Sequence, residues 1–172
     1  MSLIVEDGTG LTNAESLCSV ADADTIHAAR GNAAWALLTT PQKEQNLRKG
    51  TDYMTGKYTT LWAGYRKTAE QALDWPREDV PIVGLKFWQY YDDGIVPNEV
   101  KQACALLALR ASTGEDLMED ERRKVISETV EGAVSVTYSE YGSMQVRYAE
   151  IDAMLSRFLT NGAGRNAQVV RI

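Results

Sequence analysis

The sequence is poor in the groups that do chemistry. Among its 172 residues there are one histidine, His27, and two cysteines, Cys18 and Cys104. A Ser-His-Asp or Cys-His arrangement would have to use His27, which falls on a helical face. Neither cysteine has a partner motif. No disulfide framework is implied. Cys104 lies in an apolar helical run and reads as a small buried hydrophobe, consistent with synthesis in a reducing cytosol. Metal ligands are equally sparse. Asp22 with Asp24, and Asp92 with Asp93, are pairs at most, and residues 92–94 lack the ligand spacing of a calcium loop and read as a turn. Residues 8–10 are too short for a phosphate loop and lack its lysine. The chain is therefore expected to have no catalytic site, no metal and no cofactor.

Long apolar runs are missing as well. The best, residues 103–109, ends at Arg110, so no membrane partner is expected. Glu6 and Asp7 follow residues 3–5 with no basic segment before them, which does not read as a signal peptide. Positive charge is short too: 18 Lys and Arg stand against 24 Asp and Glu, a net charge of −6. That balance counts against a dedicated nucleic-acid binder, whose affinity comes largely from phosphate neutralisation, but leaves room for a local basic patch. What remains is ordinary globular composition, 44% hydrophobic and 24% charged. A chain of this length buries roughly 70% of its unfolded surface and needs no covalent staple.

The pattern of elements is mainly helical. Residues 3–5 read as a short strand or arm. Ser19 caps a first helix with Asp22 at its third position, and Gly31 stops it near Arg30. Val20, Ala23, Ile26 and His27 share a face of it. Thr39, Pro41 and Gln42 open a second helix to about Met54, with Leu47, Thr51 and Met54 inward and Gly50 permitting close approach of another helix. Pro97 and Asn98 open the central helix, where Val100, Ala103, Cys104, Leu107 and Ala111 recur at three and four before Gly114. Residues 115–124 read as a charged linker or short helix. Residues 125–130 and 134–138 alternate around Gly132 and read as a hairpin, about 125–139. Ile151, Met154, Leu155 and Phe158 mark a last helix over 148–159. The expected fold is a small helical bundle of about four helices, residues 1–162, with an inserted β-hairpin and extended N- and C-terminal arms.

Residues 57–96 are rich in aromatics and broken by glycine and proline. Thr68 to Leu73 suits a helical turn or two; Phe87, Trp88, Tyr90 and Tyr91 run up to the turn at residues 92–94. Within this stretch Trp62, Tyr65 and Trp75 gather with Arg66 and Arg77, and Pro76 biases Trp75 toward an extended backbone. Such a group builds either a satellite core or a contact surface for protein or single-stranded DNA. The tail, residues 163–172, is a further contact candidate. Val169, Val170 and Ile172 are apolar beyond a Gly-containing linker, with Arg165, Gln168 and Arg171 around them. The tail either docks on a partner, by strand addition or into a groove, or pairs with the chain's own sheet.

Several of these segments carry a family resemblance: residues 3–10, 19–24, Arg30-Gly31 with Trp35, 72–77, and Pro97 ahead of Lys101, Ala103, Leu107 and Ala108, with the ending Val169-Val170-Arg171. The chain resembles small phage proteins labelled DnaT-like single-stranded-DNA-binding proteins, which are similar in layout to head–tail connector (adaptor) proteins of tailed phages. The adaptor resemblance implies a non-enzymatic virion neck protein, made in the host cytoplasm. It would form a dodecameric ring of its own copies on the portal protein through Arg165, Gln168, Val169, Val170, Arg171 and Ile172. The ring would extend the channel through which double-stranded DNA slides and would receive a tail-side neck or stopper protein. The family label implies instead a single-stranded-DNA-binding or replication-accessory protein; a tail-completion protein is a third expectation.

Overall fold

A computed structural model describes residues 2–118, 127–129, 135–137 and 147–160. The chain divides into two units, Met1–Leu117 with Tyr148–Ile172, and Met118–Arg147. In the first, α1 spans Val20–Ala29, α2 Ala33–Ala36, α3 Thr40–Tyr58, α4 Asn98–Ser112 and α5 Ala149–Leu155, continued by a 3-10 turn at Ser156–Phe158. Tyr65–Arg66 (β1) and Arg77–Glu78 (β2) form a two-residue antiparallel ladder. In the second unit Ser127–Thr129 (β3) and Ser135–Thr137 (β4) form the expected hairpin, Ser127 opposite Thr137.

The helix starts follow local chemistry. The Ser19 hydroxyl accepts from the Asp22 N–H at 3.0 Å, satisfying a donor that α1 leaves open. At α3, the Gln42 side-chain oxygen accepts from the Thr39 N–H at 2.9 Å. α3 runs a turn past Met54, because Tyr58 is drawn into the core. α2 is a single turn that no apolar period announced; it seats Trp35, which is 1% exposed. Residues 68–73 do not make a helix. Gln71 takes the place of the helical ladder there: its side chain accepts from the Thr68 N–H and donates to the Leu73 and Pro76 carbonyls.

α3 and α4 form the centre of the helical unit. Val100, Ala103, Cys104, Leu107 and Ala111 are buried, as are Leu47, Thr51 and Met54 facing them. Gly50 lies at the crossing: a Cβ there would stand 2.8 Å from the Cys104 carbonyl oxygen and 3.2 Å from the Ala108 nitrogen. Ile151, Leu155 and Phe158 close the core from α5 and the turn after it. Glu6 organises the N-terminal arm, its carboxylate accepting from the Gly8, Gly10 and Leu11 N–H groups at 2.9 Å each. Gly8 takes φ 100°, and a side chain there would collide with the Gly94 carbonyl.

Candidate functional site

The aromatic–arginine group of residues 62–77 is mostly interior. Trp62, Trp75 and Arg77 are buried. Edge-on and tilted ring contacts run from Tyr58 to Trp62 (5.6 Å), Trp62 to Trp75 (5.6 Å), Trp75 to Phe158 (5.6 Å) and Phe158 to Tyr91 (5.0 Å). The Arg77 guanidinium spends its donors on backbone, reaching the carbonyls of Ala63 at 2.8 Å, Gly64 at 2.8 Å and Asp74 at 3.2 Å. Burial lowers its pKa, and Asp74 opposes that shift. Asp74 is buried beside it and accepts from Trp62 Nε1 at 3.1 Å and the Thr59 hydroxyl at 2.8 Å. These residues are a satellite core. Of the five, only Tyr65 and Arg66 reach the surface, and the Arg66 guanidinium donates to the Gln71 carbonyl.

Among the described residues, exposed aromatic side chains gather one loop further on. Residues 81–91 project from the end of β2 and fold back on themselves. Pro81 bridges Tyr90, the Ile82 N–H donates to the Gln89 carbonyl at 2.8 Å, and the Tyr91 N–H donates to the Val80 carbonyl at 2.9 Å. The base is anchored by Tyr91 on Phe158 and by Val80, which is fully buried. The tip is not covered by the described residues. Val83 is 73% exposed, Phe87 71%, Trp88 87%, and Leu85 and Tyr90 about half. An apolar surface of this kind, concentrated on one loop, makes residues 81–91 a candidate contact site. Lys86 is the only charged residue between Val80 and Tyr91, and its ammonium lies 5.6 Å from the Phe87 ring centroid. Acids flank the loop on both sides, Glu78 and Asp79 before it, Asp92 and Asp93 after it. Lys67 pairs with Asp93, 3.1 Å from its carbonyl oxygen and 3.6 Å from its carboxylate.

Sequence reasoning passed over this loop as a site. It has neither helical nor strand period, so pattern reading reported only an aromatic stretch ahead of a turn. The turn itself is as expected: Asp92 Oδ1 accepts from the Gly94 N–H at 2.7 Å. The available signal was compositional, an aromatic run with one lysine, bounded by glycine, proline and acidic pairs in a long loop. The proposed portal-contact residues Arg165, Gln168, Val169, Val170, Arg171 and Ile172 lie outside the described residues.

The reactive groups are occupied. His27 is 1% exposed; its Nε2 lies 3.1 Å from the Ala105 carbonyl and its Nδ1 3.0 Å from Asn32 Nδ2. A neutral ring with its proton on Nε2 satisfies both contacts. Burial lowers its pKa, against the Ala105 hydrogen bond, which raises it. Cys18 and Cys104 are free and buried, and burial pushes both thiols up. Among the described residues no cluster of His, Cys, Asp and Glu could hold a metal ion, and no helix is long and apolar enough to cross a membrane.

No curated protein and no solved structure matches the chain. A family model does, over residues 1–172, and its description is "Putative DnaT-like ssDNA binding protein". The chain belongs to this DnaT-like family.

Proposed function

We propose that the protein is a non-catalytic binding protein for single-stranded DNA, and that residues 81–91 are its contact surface. Family membership supports the substrate. The observation that carries the site is the exposure of Phe87, Trp88 and Tyr90 on one anchored loop beside Lys86. Single-strand binders combine aromatic faces, on which bases stack, with cations that meet the backbone. Fluorescence anisotropy of a labelled oligothymidylate tests this. Binding by the full chain, and weaker binding by Trp88→Ala, is the expected result; no binding at low salt contradicts it.

The head–tail adaptor is the second reading; the observation that can be set beside it favours a protein partner in general. The molecule carries a net charge of −6, and acid pairs bracket its aromatic loop. An apolar knob in an acidic surround suits a protein pocket, since Trp, Tyr and Phe are enriched where proteins meet. In that reading the chain rings the portal and its tail, residues 163–172, docks there. Weak individual tails would gain avidity from the ring. A pull-down on purified portal with the full chain and with a chain ending at Asn161 tests it. Capture by the full chain alone supports docking through the tail; failure of both to bind removes the adaptor reading.

A further inference from the structure

Resting on the single-strand reading, we propose that this site holds a strand by its bases and scarcely by its phosphates. The loop itself offers several stacking faces and one cation, Lys86. Trp88, Phe87 and Tyr90 present their rings to solvent, and every base has a face to lay on them. The neighbouring cations are already engaged. Lys67 is paired with Asp93, and the Arg66 guanidinium is tied to its own segment by the Gln71 carbonyl, although that contact leaves its charge in place. Lys86 has no acidic partner among the described residues. Glu78, Asp79 and Asp92 flank the loop and repel phosphate, which works against a backbone-tracking groove here.

Two consequences separate this site from a basic groove. Bases in a duplex are stacked on each other and hidden, so the loop takes unpaired strands and discriminates little among sequences. With about one phosphate neutralised, log affinity falls with log salt at a slope of about −0.7, roughly a fivefold loss over a tenfold rise in salt. A groove making about six phosphate contacts would lose roughly ten-thousandfold over the same range. The loop is also prepared for binding: its base is held by the Tyr91–Phe158 ring contact and by backbone hydrogen bonds at residues 80–91, so little ordering is left for the strand to impose.

The experiment measures anisotropy with the full-length protein and two labelled strands of about 12 nucleotides. One is oligothymidylate; the other has the same phosphates but abasic sugars. Both are titrated across a salt series, with Trp88→Ala and Lys86→Gln beside the parent. Trp88 is so exposed that its removal should leave the melting temperature unchanged. The expected result is a shallow slope with oligothymidylate, loss of binding with the abasic strand, and a roughly 5- to 150-fold weakening in Trp88→Ala. Lys86→Gln should flatten what slope there is. A steep slope, equal binding of the abasic strand, or an indifferent Trp88→Ala overturns the stacking inference while leaving single-strand binding in place. Failure to bind oligothymidylate at the lowest salt removes the single-strand reading itself, and the stacking inference with it.

Discussion

Trp62 and Trp75 touch each other edge-on, yet their polar ends are unequal. Trp62 Nε1 donates to Asp74, whereas Trp75 Nε1 is buried with no acceptor among the described residues. An unpaired buried N–H costs about 1–3 kcal/mol, so removing it offsets part of the volume lost on substitution. Trp75→Phe should therefore destabilise less than Trp62→Phe, by about 1 kcal/mol or more, in urea unfolding. The opposite order would mean that Trp75 has an acceptor. His27 gives a second test. Its pKa is lowered by burial, so below the ordinary value of 6.5 the unfolded chain binds a proton more readily than the folded one. The stability that His27 contributes is whole above that value and is lost as pH falls beneath it. It is the only histidine, so the decline in melting temperature between about pH 7.5 and 5.5 should shrink in His27→Gln. An equal decline in the variant would place the titrating group elsewhere.

At the scale of elements, the legible parts were those with a period or a cap. α4 announced itself through Val100, Ala103, Cys104, Leu107 and Ala111, because a helix buried along one face repeats at three and four. Ser19 and Thr39 marked their helix starts because few side chains satisfy an open N–H there. Gly50 was legible as a point of close approach, and the structure names what approaches. Gly50→Ala gains helix propensity of about 1 kcal/mol, but its Cβ meets backbone of α4, which cannot rotate away. Overpacking should win, giving a net loss of about 1–2 kcal/mol in denaturant unfolding; a more stable variant would show that the crossing is looser. The rest was illegible for physical reasons. α2 is too short to show a period, and residues 68–73 satisfy their backbone through Gln71 without a helix. That Trp75 and Tyr91 turn inward follows from their packing against Phe158, which is distant in sequence, while Phe87 and Trp88 stay exposed.

Over the whole molecule, charge and aromatic exposure point in different directions. A net charge of −6 weakens any phosphate-driven association, and salt would tend to relieve the repulsion. The family's description, however, names single-stranded DNA. In the proposed reading, stacking on Phe87, Trp88 and Tyr90 would reconcile the two, because a base face carries no charge to be repelled. The most direct test is the affinity of the full-length protein for oligothymidylate, measured across salt in the parent and in Trp88→Ala. The account predicts binding that declines gently with salt and is weakened by roughly 5- to 150-fold in the variant at every salt concentration. Steeply salt-dependent binding that ignores Trp88, or no binding at all, would contradict it.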